Sequence, residues 1–103
     1  MLREFLMGAG YIVMGARNGL EAFRLMDAHR PDLVLLDIEM PVMDGWQFRT
    51  LQMRDPKHAD IPVIALSGVF DTLDVARKLG TRCLPKPLEL GALLKEVRQA
   101  CGP

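Results

Sequence analysis

The segment Leu33-Val34-Leu35-Leu36-Asp37, four apolar residues closed by a carboxylate, constrains the fold of this chain more than any other. A short unbroken apolar run bounded by turn chemistry reads as a strand buried on both faces, the kind found in a parallel sheet under helices. Ligands and chemistry in such sheets gather at the carboxyl ends of the strands. Asp37 therefore falls at a functional edge, either as a turn residue bonded to local backbone or as a nucleophile or metal ligand.

The pattern around that strand alternates. A helical stretch from Arg3 to Met7 closes at Gly8 and Gly10, both suited to a left-handed helix stop, and Tyr11-Ile12-Val13-Met14 reads as a strand. Asn18-Gly19 opens a helix to about His29, with Ala22 and Met26 on one line and Leu20 and Phe23 on the adjacent one. After the loop from Met40 to Gly45, a helix from Trp46 to about Arg54 is expected to bury Phe48 and Leu51, and Asp55-Pro56 ends it. Pro62 to Leu66 is the next strand and closes at Ser67-Gly68. A helix from Thr72 to Leu79 stops at Gly80, a brief strand spans Arg82 to Leu84, and a last helix from Glu89 to Ala100 carries Leu90, Leu93, Leu94 and Val97 on one stripe. Strands alternating with helices imply a parallel sheet with right-handed crossovers, hence a doubly wound α/β fold.

Composition bounds the function classes. At 103 residues, half of them apolar, the chain suits one domain with a single core and leaves no room for a second catalytic one. Thirteen basic residues balance thirteen acidic ones without a block of either sign, so neither direct nucleic-acid binding nor a membrane surface is expected. No window reaches bilayer-spanning length, and a cytoplasmic chain is expected. Cys83 and Cys101 lack the spacing of a metal knuckle or redox pair and are read as free thiols. His29 and His58 have no partner at ligand spacing and are read as solvated. Asp44-Gly45 is read as a turn and helix start, and Trp46 as a helix-face residue near the site.

Parallel strands bring Asp37, Ser67 and Lys86 to one edge, because each ends a different strand. A carboxylate, a hydroxyl and an ammonium together offer what phosphoryl transfer needs: an oxygen nucleophile, a hydrogen-bond donor and a cation for the equatorial oxygens. Taken singly, Ser67 reads as a turn or capping hydroxyl and Lys86 as a surface lysine.

Almost the whole chain resembles the receiver domain of two-component response regulators, a flavodoxin-like fold. The resemblance is carried by Ala9-Gly10-Tyr11, Ala16 to Ala22, Asp32 to Asp37, Met40-Pro41 with Met43-Asp44-Gly45, Ile61 to Ser67, and Leu84-Pro85-Lys86-Pro87-Leu88, in that order and spacing. It implies that Asp37 is the phosphoacceptor, Ser67 the switch hydroxyl and Lys86 the cation that pairs with the phosphoryl group. It also implies a cis Lys86-Pro87 bond and magnesium held by Asp37 and the backbone carbonyl of Glu39. A histidine kinase or phosphotransfer protein would be the phosphate source, and a downstream protein the partner.

Three features depart from that pattern. The family's first strand, with its acidic pair, is not represented before the helix in which Met1 is read. Residues 1–103 are thus expected to be a receiver domain truncated at its N-terminus, whose remaining strands pair directly, accept a strand from another copy in a homodimer, or form only a marginal fold. Magnesium binding is expected to be weak, with the Glu39 side chain as a substitute ligand. The segment from Ser67 to Lys86 is short by a few residues, and Cys83 stands where an aromatic residue is usual. Two other functions compete: a receiver that serves only as a protein-binding scaffold, and a haloacid-dehalogenase-like phosphatase, whose first motif Asp37-Ile38-Glu39 loosely resembles.

Overall fold

The middle strand of the sheet explains the rest of the architecture. Val63-Ile64-Ala65-Leu66-Ser67 is buried at every position, so its backbone groups must be satisfied on both sides. In the computed structural model, which describes residues 2–40 and 42–101, they are. The expectations for Met1 and Pro41 lie outside those residues. The elements in chain order are α1 (Leu2–Gly8), α2 (Gly19–Ala28), β1 (Val34–Asp37), α3 (Gly45–Arg54), β2 (Val63–Ser67), α4 (Thr72–Leu79), β3 (Arg82–Pro85) and α5 (Leu90–Cys101). The sheet runs β1-β2-β3 with both pairings parallel.

Helices cover both faces. On one, Met26 of α2, Phe48 of α3 and Val75 and Leu79 of α4 pack with Leu36, Val63 and Ala65 of the sheet. On the other, Leu6 of α1 and Leu93 and Val97 of α5 meet Leu33, Leu35 and Leu84. Successive residues of β1 thus serve opposite cores, as the two-residue period of a strand requires.

Local chemistry sets the helix ends. Asp44 and Gln47 form a reciprocal capping box at the start of α3, Asn18 caps α2 through the Glu21 amide, and Gly80 closes α4 in the left-handed region at φ 68°. Gly10 has φ 100° after α1, whereas Gly8 is the last helical residue rather than a second left-handed stop.

Several expectations need correcting. Tyr11 to Met14 is not a strand. Tyr11 and Val13 still pack inward on the α1/α5 core while Ile12 is 98% exposed, so side-chain alternation survives without a ladder. A strand exists only through backbone bonds to a neighbour, and among the described residues β1 pairs with β2 alone, so the direct pairing of this segment with β1 is not adopted. Leu51, expected in the core, is exposed, and Gln52 is fully buried in its place. Leu20 is exposed as well, leaving Phe23, Ala22 and Met26 to face the sheet. His58, read as solvated, is buried at 3% exposure.

Candidate functional site

Strand register builds the site. Asp37 lies opposite Leu66, the residue before Ser67, and Ser67 lies opposite Pro85, the residue before Lys86. Two further backbone bonds extend the ladder past the strand ends, Ile38 N–H to the Leu66 carbonyl at 3.0 Å and Lys86 N–H to the Ser67 carbonyl at 2.9 Å. Asp37 and Lys86 leave strands two spacings apart, about 10 Å across the sheet, and only a long side chain closes that distance. The Lys86 ammonium reaches over the end of β2 to Asp37 Oδ1 at 2.7 Å. A Cβ at position 68 would come within 3.3 Å of Lys86 Cβ, so Gly68 gives the lysine its path.

The loop after β1 is equally tight. A Cβ at position 45 would sit 2.7 Å from Ile38 Cα and 3.0 Å from the Asp37 carbonyl, and the Gly45 amide bonds the Ile38 carbonyl at 3.0 Å. Glycine there lets the start of α3 lie against the backbone that presents Asp37.

Hydrogen bonds orient the acid. Asp37 Oδ1 accepts from both the Lys86 ammonium and the Glu39 amide, at 2.7 and 2.9 Å. Its side chain is 39% exposed and that of Lys86 32%, so the pair meets solvent and contributes about 1 kcal/mol or less to stability. Ser67, only 1% exposed, accepts from the Phe70 amide at 3.1 Å, the turn role the residue type suggests, and also donates to Glu39 Oε2 at 3.1 Å. Lys86-Pro87 is cis.

Glu39 is the residue the sequence undervalued. Its carboxylate accepts from the Ser67 hydroxyl and, at 2.9 Å, from the Gly68 amide, and lies 3.8 Å from the Lys86 ammonium. Only its position two residues after Asp37 hinted that its side chain would enter the site. Cys83 is half-buried, its thiol pushed up in pKa by burial first and by the Glu39 charge second, which makes it a poor nucleophile. Asp37 and Glu39 offer oxygen donors of the kind magnesium takes, in the small number it accepts when phosphate oxygens and waters complete its shell.

A second polar cluster lies at the opposite, amino-terminal edge of the sheet. His58 Nε2 bonds Asp27 Oδ1 at 2.8 Å, with Asp55 at 3.8 Å from the ring and Lys57 at 3.5 Å from Asp27. Asp27, Asp55 and His58 bring potential metal-ligating atoms together, but none of them bonds Asp37, Ser67 or Lys86.

The comparisons agree with this geometry. The model of the response regulator receiver domain matches residues 1–98. The chain belongs to that family. Receiver domains are signalling modules rather than enzymes, which sets the phosphatase reading aside. The polar-differentiation response regulator DivK of Brucella anthropi is 30% identical over 99% of this chain and 85% of its own length. The receiver domain of a signal transduction histidine kinase from Syntrophus aciditrophicus superposes with a TM-score of 0.85 at 34% identity, covering 97% of this chain and 78% of that one. The receiver domain of a sensor histidine kinase from Pseudomonas aeruginosa PAO1, solved with magnesium coordinated in its active-site cleft, gives a TM-score of 0.85 at 25% identity over 99% of this chain and 86% of that one.

Proposed function

We propose that residues 1–103 act as a phosphoacceptor module: Asp37 takes a phosphoryl group from a histidine kinase or phosphotransfer protein, and the change alters binding of a downstream protein. The observation that carries this reading is the Lys86 ammonium 2.7 Å from Asp37, beside the Ser67 hydroxyl and the Gly68 amide. An oxygen of Asp37 forms the new O–P bond as the N–P bond of a phosphohistidine breaks, and the electron pair leaves on the imidazole nitrogen. Lys86 and Ser67 then stabilise the equatorial oxygens, where charge concentrates during transfer. Magnesium, held by Asp37 and the backbone carbonyl of Glu39, would neutralise phosphoryl charge. With only those protein ligands, and with the Lys86 ammonium sharing Asp37, its binding should be weak.

The apolar residues after Ser67 suit the partner. Val69, Phe70 and Leu73 are exposed at 73, 48 and 74%, and the Phe70 amide is tied to the Ser67 hydroxyl. A hydroxyl that turns toward a phosphoryl group would give up that tie and move the segment. Free Cys83 and Cys101 suit a reducing compartment, consistent with the cytoplasm.

Acetyl phosphate with magnesium should add one phosphoryl group to the wild-type chain in intact-mass analysis and none to Asp37→Asn. Equal modification of both would remove Asp37 from the mechanism. No modification of either would leave the scaffold function.

A further inference from the structure

An incoming phosphoryl group on Asp37 needs donors for its oxygens, and those donors already hold an anion. The Ser67 hydroxyl gives its proton to Glu39 Oε2 at 3.1 Å, the Gly68 amide gives its own to Oε1 at 2.9 Å, and the Lys86 ammonium stands 3.8 Å from Oε1. Each carboxylate oxygen therefore has a separate neutral donor, with a cation beside them. The backbone of the same residue is pinned independently, its amide donating to Asp37 Oδ1 at 2.9 Å. The side chain thus spans from the end of β1 to the end of β2 while its main chain stays fixed beside the acceptor.

We infer that Glu39 is a built-in occupant of the phosphoryl seat: its carboxylate fills the Ser67–Gly68–Lys86 donor set in the unmodified protein and must leave before a phosphoryl group on Asp37 can be held there. This rests on the reading of Asp37 as the phosphoacceptor. The donors do not serve both groups at once, since the Ser67 hydroxyl and the Gly68 amide have one proton each and both already go to the Glu39 carboxylate. Charge acts in the same direction, because a carboxylate and a phosphoryl dianion repel each other when they share one cation. Exit is open: the Glu39 side chain is 29% exposed, and an extended carboxylate regains its hydration in water.

The consequence is a tax on every anion that enters the seat. Apparent affinity falls by the fraction of molecules whose seat is empty, so a seat filled about nine-tenths of the time weakens binding about tenfold. Glu39 sets how readily the unmodified protein responds to a phosphate donor, without taking part in bond making. Its amide analogue, Gln, keeps an oxygen for the Gly68 amide but has no second acceptor for the Ser67 hydroxyl and carries no charge. Gln should therefore release the seat less fully than Ala.

Two readouts on the 103-residue chain separate this inference from the reading beneath it. The Gly68 amide resonance, titrated with inorganic phosphate without magnesium, should respond in Glu39→Ala at about a tenth of the concentration that wild type requires, with Glu39→Gln between them. With acetyl phosphate and with magnesium saturating for each protein, Glu39→Ala should reach half its own maximal rate of Asp37 modification at about a tenth of the donor concentration that wild type requires. Identical titrations of the Gly68 amide, or an unchanged half-saturating donor concentration in Glu39→Ala at saturating magnesium, would overturn the inference. A Gly68 amide that responds to phosphate more readily in the variant, in a chain that no donor modifies at any magnesium concentration, would uphold the occupied seat and defeat the phosphoacceptor reading.

Discussion

The two ends of the sheet carry polar pairs of similar length with different surroundings. At the carboxyl edge a lysine meets Asp37 at 2.7 Å, and at the amino edge a histidine meets Asp27 at 2.8 Å. Distance alone does not tell them apart. Lys86 and Asp37 are both about one-third exposed, with the Ser67 and Gly68 donors gathered around a second anion, whereas the His58 ring is 4% exposed and its loop is braced from beneath by Gln52. That amide is fully buried, donates to the carbonyls of His58 and Ile61 at 3.0 and 3.1 Å, and accepts from Arg49 at 2.8 Å. The carboxyl edge keeps its charged groups in reach of solvent, and the amino edge holds a loop.

Substitution of Gln52 should have the largest effect. Gln52→Ala removes the brace and opens a cavity under the α3–β2 loop, costing about 3 kcal/mol in denaturant unfolding. Phosphoryl uptake on Asp37, measured where the variant is folded, should persist. Loss of uptake with unaltered stability would couple the two ends and break the contrast.

At the carboxyl edge, Gly45→Ala should cost about 2 kcal/mol, because its Cβ would meet Ile38 backbone at 2.7 Å rather than a side chain that can move. Unlike Gln52→Ala, it should also shift Asp37, so phosphoryl uptake should fall faster than stability does. An unchanged melting temperature would show that the α3 start can yield.

Lys86→Ala sharpens the comparison further. Removal of a cation about one-third exposed should change stability by about 1 kcal/mol or less, while phosphate-dependent partner binding is lost. Thermal melts and binding measured with and without phosphorylation should separate the two, and a large drop in melting temperature with normal switching would make Lys86 structural.

The smallest effect concerns acid. The hydrogen bond from His58 first, and the charge of Lys57 after it, hold the Asp27 carboxyl below its usual range. A carboxylate whose folded pKa is lowered adds stability at neutral pH and loses it as the pH falls below about 4, through that lowered value. The acid limb of a melting-temperature profile should therefore be shallower in Asp27→Asn than in wild type. The effect should be modest, because the Asp27 side chain is 55% exposed.

The sequence by itself determined the order of strands and helices, except at Tyr11 to Met14, and the meeting of Asp37, Ser67 and Lys86. Apolar runs and helical stripes are local signals, and parallel topology carries strand ends to one edge whatever the side chains around them. Tertiary structure decided what depends on atoms distant in the chain. Tyr11 to Met14 has the residues of a strand, but a ladder needs a neighbour's backbone. Gln52 and His58 are polar types that read as surface until loop carbonyls and Asp27 are brought within bonding distance to compensate their burial. Glu39 follows the same logic at the site: its type says only acid, and its place in the donor set arises because β1 and β2 end side by side, within one glutamate's reach of Ser67 and Gly68.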